Sequence, residues 1–213
     1  MNNKEEQLNA LNDIRKMMDR SSRFISLSGL SGVFAGFTAL VGAWLAHVQL
    51  SSYLNQSGEY SRIGYDSDLD LEYNLLKIGF GVLIIALAGG FLLTLRQSKK
   101  KKLPFWDHTI KKLLINLAIP LVAGGLFIIA LLVAHPGTYA LVAPACLVFY
   151  GLALINASKY TYGDIRFLGI CEIVLGLIAL FYSGYGLYFW AIGFGILHIF
   201  YGMLMYFKYE RAD

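Results

Sequence analysis

The chain has 213 residues, one domain's worth of sequence, yet 57% of them are apolar and only 15% are charged. Soluble domains carry about 25% charged residues, so this balance excludes an ordinary water-soluble globule and points to lipid as the solvent. The net charge of +4 comes with no nucleic-acid-reading motif, and nucleic acid is not an expected partner.

Residues 1–23 are polar and charged and lack the short apolar core and small-residue cleavage site of a signal peptide. Leu8, Leu11, Ile14, Met17 and Met18 recur at helical spacing, which predicts a cytoplasmic amphipathic leader helix lying on lipid or on protein. Six apolar segments follow, Phe24–Leu50, Leu75–Leu95, Leu113–Ala134, Tyr139–Ala157, Ile165–Tyr182 and Leu187–Phe207. A helix needs roughly 20 apolar residues to cross a bilayer, and unbroken runs exclude the alternating pattern of a β-barrel. The expected fold is all-α. A transmembrane domain over 24–207 has six helices, arranged as three hairpins about a common axis, and 208–213 form a short tail.

The connections set the topology. All eighteen basic residues except Arg62 and Lys77 fall before the first span, between spans two and three, between four and five, or after six. The positive-inside rule makes that face, and both termini, cytoplasmic. Ser51–Asn74 reads as a long acidic outer loop with Glu59, Asp66, Asp68, Asp70 and Glu72, without the glycine and terminal glutamate of a calcium loop. The main inner loop carries Lys99 to Lys102, then Phe105 and Trp106, which suit the headgroup level. Pro120 and Pro144 fall inside spans three and four, where each can kink its helix.

The last two hairpins read as copies of each other. A shift of 51 residues lays Phe149-Tyr150-Gly151 on Phe200-Tyr201-Gly202 and Gly125 on Gly176. Gly32, Ala35, Gly36 and Ala39 of span one then begin a third copy.

Glu172 is the first candidate for chemistry, because a carboxyl deep in lipid must face the bundle, a partner or water. It lies about 12 residues before the last outer turn and His198 about 13 after it, so a rise of about 1.5 Å per residue brings both to one depth. Gly169, Gly176 and Ala179 flank Glu172, and Ala191, Gly195 and Gly202 flank His198. These small residues are expected to let spans five and six close on each other with the pair between them. The pair can act as a structural clasp, a proton-linked element, or part of a metal or substrate site. A second polar set, Asn116, Asn156 and Arg166, gathers near the inner face with Ser158 and Lys159, where it can cap helix ends or meet a lipid headgroup. His47 and His135 sit at outer span ends with no ligand spacing, and Cys146 and Cys171 lie at different depths, too far apart for a disulfide. No HExxH, GxSxG, P-loop or CxxC motif is present, so no enzymatic activity, metal or cofactor is expected.

Arg166-Phe-Leu-Gly-Ile-Cys-Glu-Ile-Val-Leu-Gly176 and Ile192-Gly-Phe-Gly-Ile-Leu-His-Ile-Phe-Tyr-Gly202 give the last hairpin a likeness to the HdeD-like acid-resistance membrane proteins. The opening Ile14-Arg-Lys-Met-Met-Asp-Arg-Ser-Ser-Arg-Phe-Ile-Ser-Leu-Ser-Gly29 resembles a group of uncharacterised bacterial six-span proteins. The long acidic loop and the leader depart from the HdeD pattern. The resemblance implies a multi-pass protein of the bacterial cytoplasmic (inner) membrane. The expected role is stress-related or regulatory, exerted through membrane lipid, a second copy or another membrane protein. The alternative is a small proton-linked transporter or channel using Glu172 and His198.

Overall fold

A computed structural model describes residues 28–57, 65–100, 108–135 and 137–211, with Gln7 alone ahead of them. Apart from Gln7, the predicted leader helix lies outside the described residues, as do Glu59, Arg62, Phe105 and Trp106. Among those described there is helix and turn and no strand. The helices are α1 (Gly29–Ser57), α2 (Tyr65–Lys100), α3 (His108–Ala134), α4 (Val142–Ala157), α5 (Ile165–Ala179) and α6 (Gly186–Tyr209). Single 3₁₀ turns at Tyr139–Leu141 and Ser158–Tyr160 extend α4 at both ends, and Ala191–Leu197 of α6 is wound as a π-helix.

Five helices are long and apolar enough to cross a membrane: α1, α2, α3, α4 with its flanking turns, and α6. The protein is therefore an all-helical chain of membrane-protein character. The segment predicted as span five is a helix of 15 residues, about 22 Å long at 1.5 Å per residue. Tight turns prolong it, through Phe181 N to Ile178 O at 3.0 Å and Tyr182 N to Ala179 O at 3.2 Å. Gly184 then reverses the chain at φ 94°, in the left-handed region that glycine enters without steric cost.

Two expectations change. The outer loop is not Ser51–Asn74, because α1 continues to Ser57 and α2 begins at Tyr65. Asp66, Asp68 and Asp70 therefore belong to a helix rather than to a loop. Pro144 does not kink span four, because it falls in the first turn of α4, where its missing N–H costs no helical bond. Pro120 does lie inside its helix.

Apolar side chains turn outward. Phe37 and Trp44 of α1, Phe80 and Leu87 of α2, and Ile119 and Val133 of α3 are all exposed. The buried positions are small instead: Gly36, Ala39, Ala43 and Ala46 follow one face of α1 at spacings of three and four. In lipid, tails are as apolar as leucine, so close backbone packing rather than apolar burial holds helices together.

The glycine contacts also show the internal repeat in atomic detail. A methyl on Gly151 would sit 2.5 Å from the Gly169 carbonyl oxygen and 3.0 Å from Ile173 N, while one on Gly202 would sit 2.7 Å from the Gly29 oxygen and 2.6 Å from Val33 N. One turn or two further out, a methyl on Gly176 would meet Pro144 O and Val148, and one on Gly36 would meet Gly195 O and Ile199. Gly151 and Gly202, Gly169 and Gly29, and Gly176 and Gly36 thus hold equivalent places. The α4–α5 and α6–α1 crossings are one interface used twice, with the 51-residue shift preserved. Gly125, which the same shift lays on Gly176, meets nothing.

The C-terminal end of α6 ties both crossings together. Glu210 accepts from the backbone N–H of Gly29 and from Ser28 Oγ at 3.4 Å, capping α1. Lys208 Nζ reaches both oxygens of Asp164, at 2.8 and 3.1 Å, and Tyr209 donates to Asp164 Oδ2 at 2.7 Å. Tyr209 also stacks on Tyr162, with ring centroids 4.1 Å apart.

Candidate functional site

α4, α5 and α6 converge on Glu172, whose exposure is 0%. It projects from the face of α5 that also carries Gly169, Gly176 and Ala179, all buried. Those glycines face α4, and Gly195 and Gly202 face α1. The small residues flanking Glu172 and His198 therefore do not bring α5 and α6 backbone to backbone, as their spacing predicted. Each stripe serves a different neighbour, and the two helices meet at this point through polar side chains.

The π-helical turn makes the room. Gly193 carries no side chain, and a methyl there would fall 2.5 Å from Glu172 Oε2 and against Leu147. Wider winding is common where helices carry function. Here it presents the Gly193 carbonyl to His198 Nδ1, five residues on, at 3.0 Å. The other ring nitrogen, Nε2, lies 2.7 Å from the hydroxyl of Tyr150 on α4. Glu172 Oε1 approaches His198 Nδ1 at 3.5 Å, within ion-pair reach. Neither carboxylate oxygen has a hydrogen-bond partner among the described residues.

The carbonyl of Gly193 can only accept, which places a hydrogen on Nδ1. In the neutral imidazole Nε2 is then an acceptor, and Tyr150 donates to it. Phe194 closes the site, with its ring 5.0 Å from Tyr150, 5.9 Å from His198 and 5.2 Å from Trp190. A neutral acid beside a neutral imidazole and a carboxylate beside an imidazolium are both uncharged overall, and each holds one proton more than the anionic pair. Removing that proton would leave an uncompensated buried charge, at a cost on the order of several kcal/mol. The arrangement can hold a proton and fix the register of three helices.

The second polar set, Asn116, Asn156 and Arg166, divides. Pro120 has no N–H, which leaves the Asn116 carbonyl without its usual helical partner. Asn156 Nδ2 fills that place at 3.3 Å, and Lys159 Nζ donates to Asn156 Oδ1 at 3.3 Å. Asn116 Nδ2 turns back to Lys112 O at 2.8 Å. Arg166 stands exposed at the start of α5, outside this chain of bonds.

His47 is exposed and meets the edge of the Tyr188 ring at 6.2 Å, and His135 is exposed. Among the described residues, no three His, Cys, Asp or Glu side chains gather as metal ligands. Both cysteines are free, and Cys171 Sγ lies 4.0 Å from Tyr201 OH. Sequence reasoning missed Tyr150 and Gly193. The first stands in the repeated Phe-Tyr-Gly triplet, and the second in the Gly193-Phe-Gly195 stretch within the π-turn.

No protein-family model, curated protein or solved structure matches the chain.

Proposed function

We propose that this is a six-span protein of the bacterial cytoplasmic membrane with both ends cytoplasmic. In this reading α5, lengthened by its following turns, is the sixth span. The protein is not an enzyme. It has a stress-related or regulatory role exerted through membrane lipid or protein partners, in keeping with the likeness of its last hairpin to the HdeD-like proteins. Glu172, His198 and Tyr150 form a buried clasp that holds one proton and locks α4, α5 and α6 together.

The observation that carries the reading is a carboxyl at 0% exposure with no hydrogen-bond donor among the described residues and an imidazole 3.5 Å away. The architecture does not require an acid there. Gly169 and Gly29 hold equivalent places, so the place of Glu172 is taken in α1 by Gly32, and in α3 the 51-residue shift lays Leu121 on it. One observation favours the alternative of a proton-linked transporter or channel, namely the π-helical winding beside His198.

Proton flux in proteoliposomes under a pH gradient, wild type against Glu172→Gln, tests the two. The clasp predicts no flux in either protein and an altered unfolding temperature in the variant. Flux in the wild type that vanishes in the variant overturns the clasp in favour of transport. Reporter fusions at residues 60, 104, 136, 161 and 184 test the six spans.

A further inference from the structure

The inner polar chain of hydrogen bonds borders a groove that the clasp does not use. Pro120 of α3 and Phe149, Leu152, Ile155 and Asn156 of α4 line a hollow of about 400 Å³. Gly124 admits the Phe149 ring against α3, where a methyl would sit 2.5 Å from Phe149 Cβ. The walls of the groove are apolar, and Leu152, 44% exposed, stands on the outer surface of the bundle. Phe149 to Asn156 spans about 10 Å along the helix.

One end of the groove is polar and cationic. Asn156 stands at it, Lys159 lies one turn further along, and Lys112 lies one turn before Asn116. Both lysines are exposed, Lys159 donates only to the neutral Asn156 amide, and no carboxylate among the described residues pairs with either. An apolar slot opening sideways, with two unneutralised cations at its inner mouth, fits one amphiphile with an anionic head. A free anion would leave the slot unused, and a zwitterionic lipid would leave the cations unmatched.

We propose that this groove holds an acyl chain of an anionic phospholipid of the inner leaflet, with its phosphate met by Lys112 and Lys159. The proposal rests on the membrane embedding argued above and is independent of the Glu172 clasp. Lysines at a membrane surface each raise affinity for anionic lipid about fivefold.

The test is native mass spectrometry of the detergent-extracted full chain, supplied with phosphatidylglycerol or phosphatidylcholine of identical acyl chains. The expected result is phosphatidylglycerol retained at least about fivefold over phosphatidylcholine. Lys112→Gln with Lys159→Gln abolishes the preference and leaves weak, equal retention of both lipids. Leu152→Trp, which fills the slot from an exposed position, lowers retention of both. Equal retention of the two lipids by the wild type overturns the proposal, as does a preference that survives the lysine pair. Glycerol 3-phosphate competing as well as intact lipid would reduce the site to a headgroup patch and overturn the groove. Protein that enters the aqueous phase without detergent would instead defeat the embedding, before any lipid is added.

Discussion

Gly151 of α4 and Gly169 of α5 cross backbone to backbone, and a methyl on either would lie 2.5 to 2.7 Å from the other's carbonyl oxygen. Backbone cannot swing aside as the end of a flexible side chain can. Gly169→Ala and Gly202→Ala are therefore expected to destabilise the protein by roughly 1–3 kcal/mol, the usual cost of overpacking. Gly125→Ala is the internal control. It holds the place equivalent to Gly176 but meets open space, so the gain of about 1 kcal/mol in helix propensity is all that remains. Thermal unfolding in detergent checks the set, and equal losses at all three positions would sink the interface assignment.

Much of this was legible before the structure. Unbroken apolar runs predicted six spans, and five long apolar helices answer to them, because lipid demands length and leaves few other solutions. Helical spacing also picked out which residues are small and inward. It could not say which neighbour they meet, since periodicity defines a face and not its partner. Gly169 and Gly176 turned to α4 rather than α6 for that reason. Tyr150 was invisible as a site residue because its partner, His198, lies 48 residues away in sequence. The π-turn depends on a shift in backbone bonding that no side-chain pattern records. The acidic run after Tyr65 was read as loop because hydropathy sees charge and not the helix that continues beneath it.

Glu172 and His198 are close enough to be energetically coupled. Glu172→Gln, His198→Gln and the double variant form a cycle whose coupling is expected to exceed roughly 0.5 kcal/mol, the limit within which independent sites add. Chemical or thermal unfolding in the same detergent gives the four free energies. Strict additivity would mean that the 3.5 Å approach carries no interaction.

Tyr150→Phe deletes one hydroxyl and leaves His198 Nε2 in an apolar enclosure without its donor. A buried polar atom stripped of its partner costs about 1–3 kcal/mol. The loss should shrink to a few tenths in a His198→Leu background, where Nε2 no longer exists. An unchanged loss there would assign the effect of Tyr150 to packing on Phe194 instead.

The C-terminal end of α6 supplies an acid-sensitive contact. Partial burial pushes the Asp164 carboxyl upward, but hydrogen bonds from Lys208 and Tyr209 and the lysine charge outweigh it, and the folded value lies below the ordinary 3.8. A depressed folded value means that the contact contributes in full above the unfolded value and is lost as pH falls through the folded one. Stability of the wild type should therefore decline below about pH 4 more steeply than that of Asp164→Asn. Because Lys208 is half-exposed, added salt should narrow the difference. Parallel acid limbs for the two proteins at low salt would remove Asp164 from the account.

Gly193 makes the sharpest demand on the site, because its missing side chain is the space that Glu172 occupies. Gly193→Ala drives a methyl against Glu172 Oε2, 2.5 Å away, and against the Leu147 side chain. Leu147 is itself fully buried, and overpacking of this kind costs roughly 1–3 kcal/mol. Shortening the acid relieves one of the two collisions. Gly193→Ala should thus cost clearly less in a Glu172→Ala background than in the wild type, and the methyl should then partly fill the cavity that truncation leaves. Unfolding temperatures of the four proteins decide the matter. A penalty of equal size in both backgrounds would locate the clash wholly at Leu147 and free the π-turn from any role in seating the carboxyl.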